Sequence, residues 1–285
     1  MWKQQLCMAL VKGFDLDRSQ QLHHIKSAGF DGFFALWQCS GDLDGLAAEA
    51  KELGLVFQSI HAPFHKARDM WNYDETGEIA LQELLDCLTD CVRLAVPIMV
   101  VHPYKGFDIE PPTEIGIERF GRLIDEAKKS GVKIAFENVE GEEHLKLLFD
   151  RFGHYENIGF CWDTGHEMCY NHSKDMLALY GDRLIATHIN DNLGISRADG
   201  SIYFTDDLHL LPFDGIGDWD DIARRLDRHN FQGPLTFELS VISKPGRHDN
   251  DHYTQMTPEQ YFAQAYARAC RLATKRGIYG ISSNN

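Results

Sequence analysis

Ile98-Met99-Val100-Val101-His102-Pro103 is a short β-branched run closed by a proline, and Lys133-Ile134-Ala135-Phe136-Glu137-Asn138 is a second apolar run. Between them, Thr113 to Ser130 carries apolar residues at helical spacing and stops at Ser130-Gly131. A strand, a helix and a second strand in that order make a parallel crossover unit. Pro97 keeps the preceding helical stretch from running into Ile98. The same alternation extends in both directions. Strands are expected at Gln5–Val11, Gly32–Trp37, Val56–His61, Ile98–His102, Lys133–Asn138, Gly159–Asp163, Leu184–Asn190 and Leu235–Leu239. Helices are expected near Ser19–Ala28, Asp42–Leu53, Glu78–Ala95, Thr113–Ser130, Glu142–Phe152, Lys174–Tyr180, Trp219–His229 and Pro258–Arg276. In Glu78–Ala95 the apolar stripe is read as Ile79, Leu81, Leu84, Leu85, Leu88, Val92 and Leu94. Eight strand–helix units without a Ser/Pro-rich linker predict one α/β domain over residues 1–285, a closed (β/α)8 TIM barrel, with 278–285 as a tail. An open doubly wound sheet is the runner-up, but neither GxGxxG after the first strand nor GxxxxGK[ST] occurs.

Composition narrows the function. The chain has 285 residues, 44% hydrophobic and 25% charged, which excludes disordered and collagen-like classes. Asp plus Glu number 43 against 28 Lys plus Arg, a formal charge of −15 that repels phosphodiester backbones, so no nucleic-acid partner is expected. The seven cysteines are scattered and form no CxxC pair, which fits a reducing, cytoplasmic setting, with Cys87 and Cys91 read as packing one helical turn apart. No apolar stretch reaches the length of a membrane span, and Leu6 to Val11 is too short for a signal peptide core. A homodimer, the commonest assembly, is expected on general grounds alone.

The chemistry lies at the strand ends. Strand three closes on His61, strand four on His102, strand five on Glu137-Asn138, strand six on Asp163-Thr164-Gly165-His166, strand seven on His188-Ile189-Asn190-Asp191 and strand eight on Glu238. Any one of these reads as a helix cap or a structural histidine. Six consecutive strands delivering a ligand type at the same end do not, because a parallel barrel gathers those ends around one mouth. Imidazole and carboxylate together suit Zn, Mn, Fe or Co, and Mg also remains open. Asp207-Leu208-His209, in the long loop after strand seven, adds a further pair.

The ordered series His61, His102-Pro103, Glu137-Asn138, Asp163-Thr164-Gly165-His166, His188-Ile189-Asn190-Asp191, Asp207-Leu208-His209 and Glu238 resembles the xylose-isomerase-like TIM-barrel superfamily, from about residue 5 to 275. That superfamily includes sugar-phosphate isomerases and epimerases, ketose 3-epimerases and endonuclease IV. The epimerase branch implies one divalent metal held by Glu137, Asp163, His188 and Glu238. The endonuclease IV branch implies additional zinc sites at His61, His102, His166, Asp207 and His209, so more than one metal per chain is open.

The leading expectation is a metal-dependent sugar or sugar phosphate isomerase or epimerase working through an enediolate. Glu137 and Glu238 move the proton, and His166 or His188 orients a substrate oxygen. The alternatives are an endonuclease IV-like multi-zinc phosphoesterase and a non-enzymatic metal- or sugar-binding barrel. Lys66, Arg68 and Trp71 on the loop after strand three, together with Trp37, Asn138 and Arg247, are assigned to substrate binding. The loops at about 194–217 and 241–257 should overhang the mouth, the second as a mobile lid.

Overall fold

The computed structural model describes residues 4–38 and 41–277; Cys39 and the expected tail lie outside the described residues. Eight parallel strands run β1 (Leu6–Ala9), β2 (Gly32–Leu36), β3 (Val56–His61), β4 (Ile98–Val101), β5 (Lys133–Glu137), β6 (Ile158–Asp163), β7 (Leu184–His188) and β8 (Leu235–Phe237). They hydrogen-bond in chain order, with β8 returning to pair with β1. The last joint, β7 to β8, has no regular ladder. It is made by a single bridge between Ile189 and Phe237, and the Thr236 amide donates to the Thr187 hydroxyl at 3.0 Å. The result is a (β/α)8 TIM barrel.

The helices are α1 (Arg18–Ala28), α2 (Leu43–Leu53), α3 (Glu75–Arg93), α4 (Glu114–Ser130), α5 (Glu142–Phe152), α6 (Thr164–Cys169), α7 (Met176–Tyr180), α8 (Trp219–Arg228) and α9 (Pro258–Thr274). Side-chain caps set most of their starts: Asp17, Asp42, Thr113, Asp218 and Thr257 each accept from an amide of the first turn. Gly131 ends α4 at φ 77°, the left-handed conformation that a glycine adopts without strain. Gly141, before α5, has φ 75°, and a Cβ there would stand 2.8 Å from the Tyr104 ring.

Helix α3 differs from its expected stripe. Ile79 and Val92 are exposed, and the buried face is Ala80, Leu81, Leu84, Cys87, Leu88 and Cys91. The two thiols therefore occupy the centre of a face on which bulkier residues look more obvious. Burial pushes the Cys87 thiol well above its ordinary value, and the neighbouring Cys91 adds to the shift. Helix α6, which follows β6 with no intervening loop, adds to the helices expected from the sequence. Among the described residues no helix is long and apolar enough to cross a membrane.

Inside the barrel, Val100, Ala135, Cys161 and Ala186 form their own small buried cluster. Each lies two residues before a strand-end candidate: His102, Glu137, Asp163 and His188. Side chains alternate along a strand, so whatever follows an inward-facing residue by two also faces inward. The strand pattern thus aims all four candidates at the barrel's interior.

Candidate metal centre

Glu137 is the hub. It is entirely buried, and four imidazoles surround its carboxylate. Oε2 lies 3.3 Å from His61 Nε2 and 3.2 Å from His102 Nε2; Oε1 lies 3.1 Å from His188 Nδ1 and 3.4 Å from His166 Nδ1. Glu238 Oε2 approaches the same His188 Nδ1 at 3.0 Å. A second cluster adjoins it: Asp207 Oδ2 is 2.9 Å from His209 Nε2, and Asp207 Oδ1 is 3.6 Å from His166 Nε2. Asp163 caps α6 by accepting from the His166 amide at 2.6 Å, which turns the His166 ring back over the hub.

These residues fit a divalent metal. His61 Nε2, His102 Nε2 and Glu137 Oε2 form a triangle with sides of 3.2, 3.2 and 3.3 Å. A tetrahedral ion bonded at about 2.0–2.1 Å holds its donors about 3.3 Å apart. Second, His61, His166 and His209 donate Nδ1–H to the backbone carbonyls of Ala62, Asn138 and Glu238 at 2.8, 3.0 and 3.1 Å. That fixes the tautomer and leaves Nε2 as an electron-pair donor, the usual arrangement of a metal-binding histidine. Third, Glu137 Oε2 and Asp207 Oδ1 are buried with no hydrogen-bond donor, a costly state that a cation relieves. Among the described residues four groups bring ligand atoms within 4.8 Å of one another: His61–His102–Glu137, Glu137–Cys161–His188, His166–Asp207–His209 and Glu137–Asp163–His188–Glu238.

The electrostatics agree. Burial raises the Glu137 carboxyl, but His188 and His102 outweigh it and hold the group well below the ordinary value. Glu238 is held down to about 2, with His188 and His209 overcoming its burial. Burial takes His102 down to about 4 against the pull of Glu137, so this imidazole is neutral and ready to ligate. Burial works in the same direction on His166, yet Asp163 and Asp207 raise it well above its ordinary value. Carboxylates that favour a proton on an imidazole in this way also favour a dication in the proton's place, so the group could hold one. Asp163 is raised to about 6 by burial and by Glu137, with His166 opposing.

A pocket of about 390 Å³ opens above the hub, lined by His61, His102, Glu137, His166, Asp207, His209 and Glu238 among others. The residues assigned to substrate binding are placed elsewhere. Trp71 is a core residue: its indole N–H donates to the Pro103 carbonyl at 2.8 Å and its ring lies on Gly116, where a Cβ would strike it. Lys66 pairs with Glu83 and Arg68 with Glu110, off the pocket wall. Trp37 donates to Asp90 at 2.7 Å on the outer side. Arg247 is held by Asp249 at 2.8 Å and Asp206 at 3.4 Å. Asn138 is buried behind the wall, exchanging hydrogen bonds of 2.7 and 2.8 Å with the Asp163 backbone. These side chains found long-range partners that local sequence does not announce.

The loop read as a lid is pinned. Asn250 donates to the Leu208 and Ser240 carbonyls at 3.1 and 2.8 Å, and the Tyr253 hydroxyl reaches Asp214 at 2.8 Å. Lys244 of this loop lines the pocket, as do two charged residues outside the set that the sequence assigns to the site, Lys12 and Lys105. Each lies three positions beyond the strand-end position, Ala9 or His102, and that offset was the available clue.

Comparison with known proteins agrees with this geometry. The chain is 37% identical over 218 residues to the uncharacterized protein y4fM of Sinorhizobium fredii, covering 70% of this chain and 62% of that protein. It is 29% identical over 124 residues to a probable endonuclease 4 of Geotalea daltonii, covering 36% of this chain and 44% of that protein. The chain thus spans less than two thirds of the length of either curated relative. Among solved structures, the IolI protein with a bound zinc atom superposes with a TM-score of 0.72 at 18% identity, covering 94% of this chain and 98% of that one. A D-allulose 3-epimerase from Methylomonas sp. superposes with a TM-score of 0.69 at 17% identity, covering 95% and 99%; at such identities the likeness is one of fold. The xylose isomerase-like TIM barrel profile matches residues 22–278, and with nearly the whole barrel inside that match, the chain belongs to this family.

Proposed function

We propose that this protein is a divalent-metal-dependent isomerase or epimerase acting on a small sugar or sugar phosphate. The observation that carries the reading is the placement of Glu137 and Glu238 on one imidazole nitrogen of His188, at 3.1 and 3.0 Å, beneath a pocket sized for one small molecule. The epimerase among the structural neighbours supports it.

A dication held by Glu137, Asp163, His188 and Glu238 supplies a Lewis acid for a carbonyl and its neighbouring hydroxyl. The chain's own groups do the rest. Glu238, whose side chain is 20% exposed against 0% for Glu137, is the carboxylate a substrate reaches first; it takes the C–H proton. For isomerisation Glu238 delivers that same proton to the adjacent carbon; for epimerisation Glu137 serves the opposite face after taking a proton from the His166 imidazolium 3.4 Å away. His166, on the pocket wall, orients the substrate oxygen. Phe34, Phe64 and Phe204 line the same pocket and limit water around the reacting carbon.

Turnover in deuterated water tests the reading: a panel of ketoses, aldoses and their phosphates should yield at least one compound with deuterium at a carbon next to the carbonyl. No exchange across the panel rejects it. A second reading, a multi-metal phosphoesterase, is favoured by the additional groups His61–His102–Glu137 and His166–Asp207–His209 and by the partial match to an endonuclease 4. The charge of −15 opposes it. Cleavage of a duplex containing an abasic site, with two or three metals per chain, would put it first. Ligand binding with neither reaction would leave a binding protein.

A further inference from the structure

The pocket has a charge distribution at odds with the chain that builds it. Its carboxylates, Glu137, Asp207 and Glu238, all belong to the candidate ligand set. Its other formally charged side chains are Lys12, Lys105 and Lys244. In a protein with 43 acidic residues against 28 lysines and arginines, a pocket whose non-ligand charges are all cationic marks the chemistry of what enters.

Two of these ammonium groups are held in place. Lys105 lies 3.2 Å from Glu140, a carboxylate with no solvent exposure whose Oε1 also accepts the Gly106 amide at 2.8 Å. Burying a carboxylate whole is expensive, and here it fixes a lysine that stays 28% exposed above the rings of Phe64 and Phe107, 5.7 Å from each centroid. Phe64 in turn stacks on His102, so one ring separates the ammonium from the ligand cluster. Lys244 is held 3.0 Å from Asp207 Oδ2. Lys12, exposed after β1, has no ion-pair or hydrogen-bond partner among the described residues.

We propose that the substrate of this site carries an anionic group, a phosphate or a carboxylate, at the end away from the reacting carbon, and that Lys12, Lys105 and Lys244 receive it. The inference rests on the reading of this pocket as a sugar site. An ammonium already fixed in position loses little freedom when it binds an anion. Metal ligation by Asp207 would also weaken its hold on Lys244, leaving that ammonium for the substrate.

Calorimetric titration of the metal-loaded protein with sugars differing in one group tests this: xylulose against xylulose 5-phosphate, and glucose against glucose 6-phosphate and glucuronate. At least one anionic member should bind about 30-fold more tightly than its neutral counterpart, the scale of one or two charge-assisted hydrogen bonds. The phosphate and carboxylate arms identify which anion it is. The preference should fall to about 5-fold or less in the double variant Lys105→Met/Glu140→Gln, which avoids stranding a buried charge, and should weaken in Lys12→Met. It should survive in Lys66→Met, whose partner Glu83 lies off the pocket. Equal binding of both members, no binding by any, or a preference that outlasts the lysine changes overturns the proposal. Tight anion-dependent binding without deuterium exchange would instead reject the isomerase chemistry and leave the anion site standing.

Discussion

Glu137 takes part in three of the four ligand groups, whereas Asp207 takes part in one. Their substitutions should therefore differ in kind. Glu137→Gln should leave the protein nearly free of bound metal, and Asp207→Asn should remove only the share held with His166 and His209. Metal analysis of the two purified variants checks this, and equal losses would mean that Glu137 is not shared. At this scale the sequence was informative where position alone sets direction. His61, Glu137, Asp163 and His188 end their strands and face inward by the two-residue alternation. It was uninformative where direction depends on a distant partner. Trp71 and Arg68 carry the right chemistry for a sugar phosphate, but Gly116 and Glu110 claim them. Nothing near residue 70 in the chain reveals those partners.

Among the elements, the long connection between β7 and α8 is the instructive one. It reads as an unstructured loop, yet Asp191 organises it. One carboxylate oxygen accepts from the amides of Asn192 and Gly217 at 2.9 and 3.0 Å; the other accepts from Phe213, Gly215 and the Trp219 indole at 2.9, 2.9 and 3.1 Å. The glycine matters at 215, where a Cβ would stand 2.4 Å from the carboxylate. Because this loop carries Asp207 and His209, its rigidity becomes the precision of the second ligand cluster. Asp191→Asn presents an amide N–H₂ to donors that need an acceptor, and should cost on the order of 2–4 kcal/mol. Chemical denaturation should register that loss, together with lower metal content; a change within 0.5 kcal/mol would show that the loop stands without its anchor. In the sequence Asp191 is only one more acid after strand seven. Its work as an acceptor for backbone amides leaves no trace in residue type.

For the whole molecule, strand number, order and parallel sense were legible because hydrophobic runs and helical periods alternate without interruption. How the cylinder shuts was not, since that depends on how Thr187 and Thr236 meet across it. Seven neighbouring strand pairs share ladders, two of them with a register shift, while β7 and β8 meet through the Ile189–Phe237 bridge and a threonine hydroxyl. His188 stands on one side of that joint and Glu238 on the other. A dication gripping both would act as a clasp on a barrel short of one hoop. Loading the protein with metal should then slow hydrogen–deuterium exchange of the Ile189 and Glu238 amides far more than that of Ile134, in β5, which is laddered on both sides without a register shift. Uniform slowing, or none at the joint, would mean that the wall is already sealed. If the clasp works as described, the ion that equips this protein for chemistry also completes its circumference, and stripping it loosens the molecule first where two of its ligands face each other.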